Sequence, residues 1–169
     1  MIKMTSENID TISSVLAKGT ASLKNAGIES PRNEAELLLA TAMEVDRKFL
    51  WSAPETPVGN ATNRYYSLVE KRAAGCPYAY LAGKKEFLGR DFTITTDVFI
   101  PRPETELLVL EVFNFIQKTG NKTADVLDLG CGSGIIGISL LLECPGIRIV
   151  ASDISSTTID IARKNAKMY

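Results

Sequence analysis

The amino-acid sequence predicts an α/β unit with a parallel strand pair, preceded by a small all-α helical bundle and a β-hairpin linker. Three observations carry this reading. Residues 1–75 place apolar side chains at helical spacing. The stretch KEFLGRDFTITT, 85–96, alternates around a glycine turn. From Ala124 onward, strand, helix, strand and helix patterns succeed one another at the spacing of a βαβ unit.

Each element has its own justification. Ile9, Ile12, Leu16 and Leu23 lie on one helical face, and Gly27 ends the run. Ser30-Pro31 opens a second helix: Ser30 is placed to cap and Pro31 suits the first helical position. Ala35, Leu38, Leu39 and Ala42 supply its buried stripe. DRKFLWS, 46–52, is a short helical turn carrying the sole tryptophan, Trp51, and APETPVGN, 53–60, is a linker. A helix from about Ala61 to Ala74 aligns Tyr65, Leu68, Val69 and Arg72. The predicted divisions are a helical domain over 1–75, a linker with the hairpin over 76–98, and an α/β domain over 99–169. The hairpin turns about Gly89-Arg90, with Phe87 before it and Phe92 and Ile94 after.

Pro101 and Pro103 then enforce an extended entry. A helix starts near Pro103 with Glu104 and Glu106 in its first turn, where acids favour the helix dipole. That is the ordinary role for Glu104. Glu104, Glu111, Asn114 and Lys118 form a narrow polar stripe, and the remainder is apolar, so this helix is expected to be largely buried. ADVLDLG and IRIVASD read as the two strands, SGIIGISLLLE and SSTTIDIARKNAKM as the helices after them.

Composition narrows the chemistry. The 169 residues are 45% hydrophobic and 23% charged, as in globular proteins, and carry a net charge of −1. No general basic field draws the chain to nucleic acid. No apolar run approaches the ~20 residues of a membrane helix. The three cysteines, Cys76, Cys131 and Cys144, lack metal-ligand spacing, and histidine is absent, which argues against zinc and against Ser-His or Cys-His catalysis. Free thiols without a leader sequence suggest the cytoplasm.

The segment VLDLGCGSGIIGISL, 126–140, holds two overlapping glycine patterns. From Gly130 it reads G-x-G-x-G; from Gly132 it reads G-x-G-x-x-G and closes at Gly137. In a dinucleotide fingerprint the first glycine closes the strand, and here that glycine is Gly130. Counting from it puts Ile135 at the third position. Gly137 then falls inside the helix, where close packing explains it. Charge points the same way: Asp128 would oppose a pyrophosphate and favours a cationic ligand. Asp153, 19 residues after Gly134, can accept both hydroxyls of a ribose, and Ile154 can pack on an adenine face.

VLDLGCGSG followed by ASDIS resembles the S-adenosylmethionine site of class I methyltransferases, which are Rossmann-like. PYAYLAG (77–83), EFLGRDF (86–92) and FIPRPETELLV (99–109) narrow the resemblance to the release-factor glutamine methyltransferases, over the whole chain. The resemblance implies S-adenosyl-L-methionine as cofactor and a peptide chain release factor as protein substrate. The implied reaction is N5-methylation of the glutamine in its Gly-Gly-Gln motif. It maps Asp128, Gly130, Cys131, Gly132, Ser133, Gly134, Asp153 and Ile154 onto the cofactor site, and Pro101, Arg102, Pro103, Glu104 and Thr105 beside the pocket. The helical domain is implied to help recognise the substrate.

The family's catalytic Asn-Pro-Pro-Tyr string does not occur here, so no catalytic residue is assigned. Two of the family's seven strands are present, and the chain is expected to be an incomplete domain, inactive in a release-factor methylation assay and weak in cofactor binding. A nucleic-acid amino-methyltransferase, a non-catalytic release-factor-binding module and a nicotinamide oxidoreductase are the competing readings.

Overall fold

The computed structural model describes residues 10–120 and 123–169. The chain divides between Ala82 and Gly83 into two units, each with its own apolar cluster. The first contains helices α1 (Ile12–Asn25), α2 (Pro31–Met43), α3 (Arg47–Ser52), α4 (Ala61–Ala73) and the short α5 (Tyr78–Ala82). α1, α2 and α4 pack on one another. Ile12, Val15, Leu16, Leu23, Leu38, Leu39 and Tyr65 are sealed in their midst. Ile9 lies outside the described residues.

Local chemistry sets the helix ends. Thr11 and Ser14 form a capping box at the start of α1, each side chain meeting the other's backbone N–H. Pro31 takes the first position of α2 as expected, but the Ser30 side chain makes no capping bond. The expected linker 53–60 is a strap. Pro54 and Thr56 accept the N–H groups of Ser13 and Ile12, and Val58 donates to Asp10. It thereby satisfies donors that the first turn of α1 cannot pair internally.

Sequence texture changes at Cys76-Pro77, yet α5 stays with the helices. The Tyr78 hydroxyl shares a hydrogen bond of 3.1 Å with Thr41 on α2, and Leu81 packs on the helical core. The hairpin, β1 (Lys84–Phe87) and β2 (Arg90–Thr93), pairs antiparallel and belongs to the second unit, where Phe87 and Phe92 are buried. Its turn is Leu88-Gly89, one residue earlier than expected. Phe87 pairs with Arg90, and both turn residues have positive φ, 48° and 73°. That is the backbone of a two-residue hairpin loop whose twist matches the strands.

The second unit continues with α6 (Glu104–Thr119), β3 (Asp125–Leu129), α7 (Ile135–Glu143), β4 (Arg148–Ser152) and α8 (Ser156–Ala166). β3 and β4 pair in parallel, Asp125 against Arg148 through Leu129 against Ser152. Alternation gives this pair two faces. Val126 and Ile149 pack into a core with Ile135, Ile138, Val109 and Ile116. On the other face Leu127, Leu129 and Val150 are 60%, 74% and 65% exposed.

The expectation that α6 is largely buried is corrected. Only Val109 and Ile116 are buried, while Leu107, Leu108, Leu110 and Phe115 stand in solvent. A broad apolar circumference needs cover on several sides, and here α7 and the hairpin cluster cover one. Among the described residues no helix is long and apolar enough to cross a membrane.

Candidate cofactor site at the carboxyl end of the parallel pair

Open α/β sheets receive ligands beyond the carboxyl ends of their strands. The chain leaves β3 at Leu129 and turns at once. Gly130, Gly132 and Gly134 have φ of 75°, 56° and 75°, a region that side chains with a Cβ rarely adopt. Gly137 has no such φ. It lies inside α7, where an added Cβ would sit 3.3 Å from Ile149 and 3.4 Å from the Asp128 carboxyl. The loop therefore uses the G-x-G-x-G register starting at the strand end, and Gly137 is a close-packing position.

Backbone bonds fasten the loop to the end of β4. The N–H groups of Gly130 and Cys131 both donate to the Ser152 carbonyl, at 2.8 and 2.9 Å. Gly132 donates to Asp153 Oδ2 at 3.0 Å, and Ser155 donates to Asp153 Oδ1 at 3.1 Å. The Ser155, Gly132 and Ile154 N–H groups hold the Asp153 carboxyl below the usual range, against the opposing effect of burial. Asp153 is thus firmly ionised at neutral pH.

Asp128 contrasts with it. Its Oδ2 is buried without a hydrogen-bond partner among the described residues. Burial pushes its carboxyl upward, the Asp153 charge pushes it further, and the Gly137 N–H opposes both. Burial, with Asp128 and Asp153 adding to it, also raises the Cys131 thiol, so Cys131 stays protonated and weakly nucleophilic.

The structure gathers Asp128, Gly130, Cys131, Gly132, Ser133, Gly134 and Asp153 around one loop. Cys131 and Ser133 are buried, 5% and 3% exposed, so they offer a ligand main chain rather than side chain. Ile154 is fully exposed at the rim. Pro101, Arg102, Pro103, Glu104 and Thr105 stand apart in their bonding. Thr105 N–H donates to the Arg102 carbonyl and Glu106 N–H to the Pro103 carbonyl, both within residues 102–106. Glu104 is exposed at the start of α6, whereas Glu106 accepts the Leu88 N–H at 3.1 Å and steadies the hairpin turn.

Sequence reasoning missed Asn165, which is wholly buried behind the loop and bonded to it. The available signal is a polar residue on the buried stripe of α8, in line with Thr158 and Ile161. A separate cavity of about 340 Å³ is lined by Ile116, Gln117, Gly120, Glu143, Cys144, Pro145, Gly146 and Ile147. It lies at the amino end of β4, opposite the loop, and is not the ligand end of such a sheet.

Comparison with known proteins agrees with this organisation. Residues 14–83 match the PrmC N-terminal domain, and residues 105–169 match the methyltransferase small domain. A release factor glutamine methyltransferase of Burkholderia pseudomallei (strain K96243) is 44% identical over 135 residues, covering 79% of this chain and 47% of the relative. Its counterpart in Moorella thermoacetica is 36% identical over 158 residues, covering 93% of this chain and 55% of that protein. The counterpart in Chlorobaculum tepidum is 35% identical over 170 residues, with 98% and 58% covered. The chain spans about half the length of the curated relatives it matches. With both domain models in succession and relatives of one name along nearly its whole length, the chain belongs to the release factor glutamine methyltransferase family.

Proposed function

We propose that the second unit is the amino-terminal part of a class I methyltransferase domain and binds S-adenosyl-L-methionine at the 130–134 loop. The observation that carries this reading is the loop register, with its positive-φ glycines at 130, 132 and 134 and carboxylates at both strand ends. The residues fit that cofactor. A carboxyl at Asp128 with one buried oxygen lacking a partner among the described residues, and an ionised one at Asp153, favour a sulfonium and an ammonium and oppose a pyrophosphate.

In this reading the loop main chain cradles the ligand and Asp153 accepts ribose hydroxyls with its remaining lone pairs. Ile154 covers the adenine, and Asp128 supplies negative potential beneath the loop. Bound there, S-adenosyl-L-methionine supplies an electrophilic methyl group. The proposed acceptor is the side-chain amide nitrogen of the Gly-Gly-Gln glutamine in a peptide chain release factor, in the cytoplasm. The segment Pro101–Thr105 flanks that pocket, and the helical unit docks the release factor.

The test is a thermal titration of the full chain with S-adenosyl-L-methionine, its demethylated product S-adenosylhomocysteine, and NAD. The expected result is stabilisation by the first two alone, by about 2.7 kcal/mol at a hundredfold excess over Kd. Stabilisation by NAD alone, or by none of the three, overturns the reading.

A further inference from the structure

Asn165 sits on α8 and is 0% exposed. A buried primary amide has two donors and an acceptor to satisfy, and leaving any unmet is costly. All are met, by groups far apart in sequence. Asn165 Nδ2 donates to the Ser133 carbonyl at 2.9 Å and to the Thr93 carbonyl at 3.1 Å, while its Oδ1 accepts the Thr93 N–H at 2.8 Å. One side chain therefore joins the end of β2 to the middle of the glycine loop.

The loop needs such an anchor. Gly130 and Cys131 are tied to Ser152, Gly132 to Asp153, and Gly134 to Cys131. Ser133 lies between two glycines in left-handed backbone, and its carbonyl is held by Asn165. Glycines give the loop its shape and also its freedom to leave that shape. A fixed Ser133 carbonyl sets the direction of the neighbouring peptide planes, including the amides entering α7.

We propose that Asn165 is the positioning residue of this site, holding the 131–134 backbone in its ligand-ready conformation through the Ser133 carbonyl. The proposal rests on the cofactor reading for the ligand but not for the loop. Thr158 makes the control. It is equally buried on the same helix, and its hydroxyl donates to the Asp97 carbonyl at 3.1 Å. It fastens α8 to the 93–98 segment, and its hydroxyl bonds Asp97 rather than the loop.

The experiment compares the unsubstituted chain with Asn165→Asp and Thr158→Val, well below their melting temperatures. Two quantities are read: S-adenosylhomocysteine affinity by calorimetry, and amide exchange of residues 131–135. Asn165→Asp keeps the acceptor for Thr93 and removes both donors. It should weaken affinity about tenfold and speed loop exchange, while Thr158→Val leaves affinity within about twofold. Asn165→Ala, which places no charge there, replaces Asn165→Asp should that variant fail to fold. Equal losses in Asn165→Asp and Thr158→Val, or an unchanged loop in Asn165→Asp, overturn the proposal. Absence of binding by the unsubstituted chain sinks the cofactor reading instead, and the exchange comparison alone then decides whether Asn165 sets the loop.

Discussion

The helical unit and the α/β unit draw on similar apolar residues and treat them differently. In the first, Ile12, Val15, Leu23, Leu38 and Leu39 are wholly enclosed. In the second, Leu127, Leu129, Val150 and Phe115 are mostly in solvent. Apolar periodicity states which side chains favour cover; whether cover exists depends on how many elements pack against them. The two units diverge in polar groups as well. The helical unit gathers charge around one buried acid, Glu36, which meets Arg32, Arg47 and the Trp51 indole. The α/β unit aims its carboxylates and amides at a loop.

The widest separation between the units comes from leucines. Leu38→Ala opens a cavity in an enclosed core and should cost about 2–5 kcal/mol. Leu129→Gln, on the open face, should change stability by no more than about 0.5 kcal/mol. Trp51, the sole tryptophan, reports urea unfolding of the helical unit by fluorescence, and amide exchange of β3 reports the other. Comparable losses at both positions would break the contrast.

Glycines give the next separation. A Cβ at Gly19 would overlap the buried Tyr65 hydroxyl, so Gly19→Ala should cost about 1–3 kcal/mol by overpacking. At Gly137 the nearest atom is 3.3 Å away and alanine gains helix propensity of about 1 kcal/mol. Gly137→Ala should therefore be close to neutral in a thermal melt. A neutral Gly19→Ala would show that Tyr65 can swing clear.

The smallest difference at neutral pH is electrostatic, and it grows in acid. Glu36 is held below the usual carboxylate range: burial raises it, but Arg47, Arg32 and Trp51 together lower it further. A depressed folded value means stabilisation present above the unfolded glutamate range and lost as pH falls through the folded value. Asp128 has the opposite sign: its folded value is raised, so its contribution is best in acid and fades as pH rises past the ordinary aspartate range. Melting curves of Glu36→Gln should lose part of the acid sensitivity of the helical unit. Those of Asp128→Asn should lose part of the other unit's decline as pH rises through and just above the ordinary aspartate range. Parallel pH profiles for substituted and unsubstituted chains would refute both assignments.

Much of the fold was legible in the sequence because periodicity and glycine chemistry are local. The stripe Ala35, Leu38, Leu39 and Ala42 is buried as expected, and the strand–helix order after Ala124 is observed. The register of the glycine loop was legible too, since Gly130 must close the strand. What was not legible depends on partners distant in sequence. The 53–60 strap caps α1 across more than 40 residues, and Asn165 reaches Thr93 across 72. The exposure of α6 was misread because spacing records apolar character without the number of neighbours. Glu106, read as a dipole partner, has a specific bond to the hairpin that no local pattern encodes.

Asp153 carries a further consequence. Each of its oxygens already accepts a backbone N–H, from Gly132 and from Ser155. The carboxylate is immobilised before any ligand arrives, so a diol meeting it loses less side-chain freedom on association than it would with a free aspartate. The same two bonds make the acid a relay between loop and helix start. In the proposed cofactor reading, a ligand drawing on the Asp153 charge perturbs the Gly132 and Ser155 amides together.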